Sequence, residues 1–248
     1  MKILINGIGG RMGVEVKKLV LEGYRGAELC AGVDINPVPS CETPVYSSWA
    51  DVNELPDCII DFSHHSATPA LLEFATQKGI PVVLATTGHD EHEVQLINDA
   101  AKHIPLFHSA NMSLGIALLC ELAKTCAKTF PDADIEIIER HHNRKLDAPS
   151  GTALLLARQI QKIRENAFFT FGRQGQAKRE KNEIGVHAIR MGNIVGEHEV
   201  IVGTDTQTIT LKHEAHSRSL FAEGAVAAAE FLISKPAGLY DMYSMING

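Results

Sequence analysis

Short apolar runs alternate with amphipathic stretches through the first half of the chain. Buried strands are predicted at 2–6, 28–33, 58–62, 81–85 and 104–107. Helices are predicted between them, one after the first strand with Met12, Val16, Leu19 and Val20 on one face, and two more at 67–78 and 91–102. This alternation of strand and helix predicts a doubly wound, parallel α/β sheet of the Rossmann-like type.

The pattern changes after residue 113. Helices are predicted at 114–128 and 152–163, and strands at 134–139, 186–190, 197–202 and 208–213. Ile209 and Leu211 alternate with threonines, which predicts an open, mixed or mostly antiparallel sheet with one exposed face. Residues 164–183 are polar and are predicted to form a mobile loop, either a lid or an interface arm.

The chain is therefore predicted to contain two domains. The apolar helix predicted at 221–233 is expected to pack back on the first domain. Residues 1–112 and 218–248 would then form a dinucleotide-binding α/β domain, and residues 113–217 a substrate-binding and oligomerisation α+β domain. With 248 residues, of which 45% are hydrophobic and 21% charged, the chain can bury a core in each.

Charge and cysteine content narrow the possible partners and location. The formal net charge of −7 argues against a nucleic-acid partner, and an anionic substrate would need a local basic cluster. The chain shows neither a signal segment nor an apolar run near the ~18 residues of a membrane span, so no membrane partner is expected. Five cysteines without a C-x-x-C pair favour free thiols in a reducing cytoplasm.

A glycine-rich turn follows the first strand and opens the first helix. Such a turn lets the backbone approach a pyrophosphate, which the N–H groups of the helix start then bind. Met12 stands where the usual third glycine would fall, and Gly13 comes one residue late. The residues of this candidate cofactor loop are Gly7, Ile8, Gly9, Gly10, Arg11 and Met12.

Asp34, at the end of the second strand, is placed to accept hydrogen bonds from the adenosine ribose. An acid there repels the 2′-phosphate of NADPH unless a cation compensates, and Arg11 is the obvious one in the sequence. Either NADH or NADPH fits, with a preference for NADH predicted. Two further segments lie where parallel strands end, the edge at which ligands bind, and they include Ala85, Thr86, Thr87, Ser109, Ala110, Asn111 and Met112.

The segment 136–153 holds the richest chemistry of the chain. A strand leads into a basic loop with Arg140, His141, His142, Arg144 and Lys145, and then into a helix start. Ser150 is predicted to cap that helix, which would leave the N–H groups of Gly151 and Thr152 to bind a carboxylate. In an acidic protein, such a cluster predicts a dianionic small molecule, and a histidine there can deliver a proton.

These motifs together resemble the 4-hydroxy-tetrahydrodipicolinate reductase (dihydrodipicolinate reductase) family of the diaminopimelate route to lysine. The signature E-x-x-E-x-H-H-x-x-K-x-D-A-P-S-G-T-A is matched at every fixed position from Glu136 to Ala153. The glycine loop, the Thr86–Gly88 turn and Ala110-Asn111 are similar as well, in the same order. Ala85 and Met112 depart mildly from the family pattern. The resemblance covers nearly the whole chain.

The resemblance implies a reductase that uses NADH or NADPH on a cyclic dicarboxylate, with loss of water and closure of the domains. His141 would be the general acid. Lys145 would support that step and bind a carboxylate, together with His142, Ser150, Gly151 and Thr152. Arg218 and Phe221 would approach the cofactor. The family also implies a homotetramer assembled through the sheet of the second domain, and an exposed sheet face with apolar residues such as Ile209 and Leu211 would be compatible with it.

Three other functions stay open from the residues alone. Another two-domain dehydrogenase would keep the glycine loop and Asp34 without needing the basic segment. A non-enzymatic dinucleotide sensor would bind NADH without turnover. A metal enzyme is suggested by the spacing of His89 with His92 and of His213 with His216, but neither pair has an acidic or cysteine partner cluster nearby in the sequence, and no metal is expected.

Overall fold

The computed structural model describes residues 1–36, 38 and 43–247. Cys41, one of the five cysteines considered above, lies outside the described residues. Contacts between Cα atoms divide the chain into two compact units, Met1–Ser113 with Arg218–Gly248, and Leu114–Ser217.

The strands and helices are numbered in chain order. The strands are β1 (Lys2–Asn6), β2 (Glu28–Val33), β3 (Val45–Tyr46), β4 (Cys58–Asp61), β5 (Val82–Leu84), β6 (Pro105–His108), β7 (Asp134–His141), β8 (Phe168–Phe171), β9 (Glu183–Arg190), β10 (Gly196–Gly203), β11 (Thr208–Ala215) and β12 (Gly238–Tyr240). The α-helices are α1 (Arg11–Leu21), α2 (Thr68–Lys78), α3 (Glu91–Ala100), α4 (Leu114–Thr129), α5 (Gly151–Gln161), α6 (Ser219–Leu232) and α7 (Met242–Asn247).

The first unit is built on a parallel sheet. Within the described residues it has seven strands in the order β12-β6-β5-β4-β1-β2-β3, and every neighbouring pair is parallel. The central strands β1, β4 and β5 are mostly apolar because helices cover both faces of such a sheet, and the polar residues Asn6 and Asp61 stand at the ends of β1 and β4. The predicted doubly wound fold is confirmed, and so is the return of the last long helix, since α6 packs on α1 and on β4, β5 and β6.

The second unit is built on a mixed sheet with one face covered by α4 and α5. The strand order is β11-β10-β7-β9-β8, with antiparallel pairs around β10 and parallel pairs around β9. Alternate residues of β7 are buried, and Ile135 and Ile137 pack against Leu156 and Ile160 of α5. The period of two along β7 therefore places one set of side chains in the core and the other on the open face.

The expected apolar character of the open face is wrong. Ile209 and Leu211 are partly buried against the core cluster beneath α4 and α5. The open side carries charges instead, such as Arg140 with Glu199 at 3.2 Å. A strand with period two gives one apolar and one polar face, but the sequence of a single strand does not say which of them the helices cover.

The expectation of a mobile loop at 164–183 is also wrong in part. Residues Phe168–Phe171 form β8, which pairs in parallel with β9. Arg164 donates to the backbone oxygens of Ala133 and Phe130, at 2.7 and 2.5 Å, and Arg179 contacts Glu136. The sequence did not reveal this four-residue strand because polar residues surround it and its pairing partner β9 begins only at Glu183, the last residue of the segment.

Very short elements were also missed. β3 and β12 have two and three residues, too few to show a period, and α7 has six. None of the helices in the described part of the chain combines the length and the apolar character that a bilayer span requires.

Candidate active site

The glycine loop after β1 is held in a conformation that only glycine suits. Gly7 has a φ of +76°, and a Cβ on it would come within 2.9 Å of the backbone of Phe62 and Ser63. A Cβ on Gly13 would lie 2.0 Å from the carbonyl oxygen of Gly7. Gly13 therefore allows α1 to pack closely on the loop, which is the role of the third glycine in dinucleotide folds, although it comes one residue late.

The start of α1 is suited to an anion. Gly10 occupies the N-cap position and has no side chain that could bind the first N–H groups of the helix. Those donors and the helix dipole favour a phosphate group at this point. The glycine cradle and the helix start together fit the pyrophosphate of a nicotinamide dinucleotide.

Asp34 lies beside this loop. Its Oδ2 accepts a hydrogen bond from the N–H of Gly9 at 2.9 Å, and its Oδ1 accepts one from the N–H of Asn36, also at 2.9 Å. The groove that contains Asp34 and Gly9 is also lined by Lys17 and Lys18 of α1. The sequence interpretation that Arg11 is the nearby cation missed these two lysines, which lie nearly two turns further along α1 and line the groove beside Asp34.

Arg11 lines a second groove of the same unit. The residues of that groove are Arg11, Met12, Phe62, Ala85, Ala110, Met112, Arg218 and Phe221. Thr86 is buried and Thr87 is exposed in the turn after β5, and Ile8 is buried below the glycine loop. After β6, Ser109 donates to the backbone oxygen of Asn111 at 2.8 Å. Thus the predicted cofactor residues come together at the carboxyl edge of the parallel sheet.

A buried polar cluster that the sequence reasoning missed connects β1 to β4. Asp61 is fully buried, and its Oδ1 accepts hydrogen bonds from the Asn6 side chain at 2.7 Å and from the Ser63 hydroxyl at 2.6 Å. Burial raises the pKa of Asp61, against the effect of these hydrogen bonds. The cluster fixes the loop after β4 against Gly7.

The second unit places His141 at the end of β7. The residue is 8% exposed, and its Nδ1 lies 2.6 Å from Oε2 of Glu139, which is fully buried. The N–H of Ser150 donates to the other oxygen, Oε1, at 3.0 Å. One carboxylate therefore ties the predicted general acid to the predicted helix start.

Arg190 of β9 completes the surroundings of that carboxylate. Its two terminal nitrogens donate to the two oxygens of Glu139, at 2.8 and 2.7 Å. Burial alone raises the pKa of Glu139, but the hydrogen bonds from His141, Arg190 and Ser150 outweigh it and lower the pKa to about 2. Glu139 is therefore ionised at neutral pH.

The predicted cap of α5 is confirmed. Ser150 Oγ accepts from the N–H of Ala153 at 3.2 Å, and it lies 3.0 Å from Nε2 of His198, which is 4% exposed. Burial, with a further contribution from His141, lowers the pKa of His198 to about 3, so this imidazole is neutral. The His198 ring packs edge to face on His141, with centroids 5.2 Å apart.

The remaining predicted residues surround this centre. Lys145 Nζ lies 2.9 Å from Oδ1 of Asp147, and this pairing lowers the pKa of Asp147. The backbone N–H of His142 donates to Ile194 at 2.8 Å. Gly151 and Thr152 form the first turn of α5, and Gly151 is exposed.

Two residues of the predicted basic cluster have other roles. Arg140, next to His141 on an alternating strand, extends to the other face of the sheet and pairs with Glu199. Arg144 donates to Oδ1 of Asn193 at 2.6 Å.

Of the histidines with metal-like spacing, His213 lies beside the centre around His141, next to His198. His89 Nε2 lies 2.9 Å from the hydroxyl of Thr68, and its ring packs on His108. Burial lowers the pKa of His213, which faces His198 across the β10–β11 ladder. Among the described residues, no three His, Cys, Asp or Glu side chains are grouped so as to hold a metal ion.

Comparison with known proteins agrees with this geometry over the whole chain. Residues 1–112 match the family model for "Dihydrodipicolinate reductase, N-terminus", and residues 115–246 match "Dihydrodipicolinate reductase, C-terminus". The chain is 47% identical over 249 residues to the 4-hydroxy-tetrahydrodipicolinate reductase of Caldanaerobacter subterraneus subsp. tengcongensis, covering 100% of this chain and 98% of the relative. It is 44% identical to that of Clostridium novyi, with 99% and 98% covered.

Solved structures are similar as well. A dipicolinate-bound dihydrodipicolinate reductase from Paenisporosarcina sp. TG-14 superposes with a TM-score of 0.84 at 25% identity, covering 97% of each chain. A diaminopimelate dehydrogenase of C. glutamicum shares the fold, with a TM-score of 0.58 at 14% identity and coverage of 98% and 93%. The chain therefore belongs to the dihydrodipicolinate reductase family, whose members are NAD(P)H-dependent oxidoreductases.

Proposed function

We propose that this protein reduces 4-hydroxy-tetrahydrodipicolinate to tetrahydrodipicolinate, with loss of water, in the diaminopimelate pathway of lysine biosynthesis. The observation that carries this proposal is the buried His141, hydrogen-bonded through Nδ1 to Glu139 and placed near the capped start of α5. A proton donor next to an anion-binding helix start suits a dicarboxylate whose ring takes up a proton. The dipicolinate-bound relative supports this substrate class.

The residues of the second domain, 113–217, have the following proposed roles. His141 protonates the substrate as general acid, from its Nε2. Lys145 binds a carboxylate and supports the protonation, exchanging its exposed partner Asp147 for the substrate. His142, Gly151 and Thr152 hold the carboxylates, with the first N–H groups of α5 as donors, and Ser150 supports this site by fixing the helix start through its hydrogen bonds with Glu139 and Ala153.

The residues of the first domain, 1–112 and 218–248, bind the dinucleotide, which supplies a hydride when bound. The glycine loop and the start of α1 hold the pyrophosphate, and Asp34 accepts from the adenosine ribose. The turns after β5 and β6 and the groove with Met12 and Phe221 enclose the nicotinamide end.

The direct test couples the purified protein to dihydrodipicolinate synthase, pyruvate and aspartate semialdehyde, with NADH or NADPH followed by absorbance. Oxidation of the dinucleotide that depends on the synthase is expected. Folded protein that binds NADH but oxidises none would contradict the proposed reaction, and it would favour a dinucleotide sensor or a different dehydrogenase.

A preference for NADH over NADPH is part of the proposal. This preference depends on the balance between the negative charge of Asp34 and the positive charges of two lysines. Asp34→Ser is expected to lower the NADH/NADPH ratio of kcat/KM by about tenfold, the effect of ~1.4 kcal/mol, because a carboxylate repels a 2′-phosphate. The double variant Lys17→Ala/Lys18→Ala is expected to raise the NADH/NADPH ratio, because the two lysines line the same groove and their positive charges attract a 2′-phosphate. The remote Lys78→Ala is the control, and equal ratios in all four proteins would contradict this assignment.

We also infer a homotetramer acting in the cytoplasm. Phe168 and Phe171 of the edge strand β8 are 41% and 57% exposed, and an exposed apolar edge supports a contact between subunits. Cys30, Cys58, Cys120 and Cys126 are free thiols, in keeping with a reducing compartment. Light scattering of the purified protein measures the assembly, and a monomer would contradict it.

A further inference from the structure

Glu139 has no free hydrogen-bonding capacity left for a substrate. Its Oε2 accepts from His141 Nδ1 at 2.6 Å and from Arg190 at 2.8 Å, while its Oε1 accepts from the Ser150 N–H at 3.0 Å and from Arg190 at 2.7 Å. The carboxylate is fully buried between β7, β9 and the start of α5. Such a group acts through its neighbours rather than on a ligand.

We propose that Glu139 and Arg190 are positioning residues for His141. They hold its ring so that the Nδ1–H group donates to Glu139, which makes Nε2 the atom that delivers the proton. Their opposed charges set the pH range of the reaction. This inference deepens the proposed function and rests on His141 being the general acid. An ionised carboxylate can only accept, so a neutral His141 carries its proton on Nδ1.

Gly196 of β10 keeps the other side of the ring open. A Cβ on residue 196 would lie 3.0 Å from His141 Nε2, which is tighter than an ordinary contact. The two nitrogens of His141 are therefore different. Nδ1 is bound inside the protein, and Nε2 faces a strand position without a side chain.

The two charges act on His141 in opposite directions. Glu139 places a negative charge at hydrogen-bonding distance from the His141 ring, and Arg190 places a positive charge against the same carboxylate. Around this centre, β10 contributes His198 and β11 contributes His213, both with lowered pKa and therefore neutral at pH 7. The loop after β7 contributes Lys145 and Asp147, which pair with each other.

The proton balance of the step is simple. After hydride addition, an electron pair on the substrate takes the proton from His141 Nε2, and the N–H bond electrons remain on the imidazole. His141 is left neutral, with its Nδ1–H still donating to Glu139. A proton from water restores the imidazolium before the next turnover.

The test compares pH profiles of kcat for three variants. Glu139→Gln is expected to move the alkaline limb to lower pH by about one unit, which is roughly tenfold in kcat on that limb, because the charge that favours imidazolium is gone. Arg190→Met is expected to move the limb to higher pH. The control Glu199→Gln neutralises another arginine-paired carboxylate of the same sheet and should leave the limb in place. The KM for NADH should stay unchanged in all three.

The wild-type protein provides a second measurement that needs no stable variant at position 139. NMR spectra of protein labelled with ¹⁵N-histidine are recorded at alkaline pH, and the His141 signal is identified as the one that His141→Asn lacks. That signal is expected to show a proton on Nδ1 and none on Nε2. The opposite tautomer, or an alkaline limb unmoved by Glu139→Gln, would overturn the proposal. If His141→Asn instead keeps full activity, the general-acid assignment itself has failed.

Discussion

Replacing His141 by asparagine is expected to lower kcat by about 10²–10⁴-fold, the usual contribution of a positioned general acid. Asparagine has a similar shape near the backbone and can still donate to Glu139, but its amide cannot give up a proton to carbon. The affinity for NADH, measured by fluorescence titration, should not change, since the residues proposed to bind the dinucleotide belong to the other compact unit.

The matched control is His187→Asn. His187 lies on β9 of the same sheet and is also paired with a glutamate, with its Nε2 2.7 Å from Oε2 of Glu136. We expect its kcat to stay within about twofold of the wild type, because surface-level changes of this kind are usually small. Equal losses in both variants would assign the effect to the sheet rather than to proton transfer.

Gly13→Ala is expected to weaken NADH binding by at least about tenfold and to destabilise the protein by roughly 1–3 kcal/mol, the usual cost of overpacking. The new Cβ would lie 2.0 Å from the carbonyl oxygen of Gly7 and 2.8 Å from Cα of Ile8. Both are backbone atoms, so α1 or the loop must move, and either movement would disturb the proposed pyrophosphate site. Fluorescence titration and urea unfolding measure the two effects.

Gly203→Ala is the control for that substitution. Residue 203 ends β10, and a Cβ there would meet nothing within 4 Å. Its stability and its NADH affinity should therefore resemble those of the wild type. If Gly13→Ala bound NADH as well as this control, the glycine loop would not be the pyrophosphate site.

The sequence by itself determined most of the elements of the fold. The predicted bounds of β1 and β2 agree with the structure at both ends, because a buried parallel strand is a mostly apolar run with polar residues at its ends. Ser150 caps α5 as expected, since capping depends on residues within one turn. The family resemblance came from motifs of the same local kind, and the comparisons confirm it.

Only the tertiary structure decided which groups surround His141. Glu139 is two residues away and was read as part of a signature, whereas Arg190 and His198 come from strands about 50 residues further on. The parallel pairing of β7 with β9 brings Arg190 beside His141, and no local pattern encodes that pairing. The tertiary structure likewise decided which side of β11 the helices cover and that residues 168–171 form β8.

Gly13 shows the same division within one motif. Its sequence position suggested a glycine one residue late, and only the approach of α1 to Gly7 shows that it makes the close contact. The hydrophobic period, the helix caps and the turns depend on neighbouring positions, so the sequence alone predicts them. Strand pairing, burial of charge and the surroundings of a proton donor depend on residues distant in sequence, and only folding brings these together.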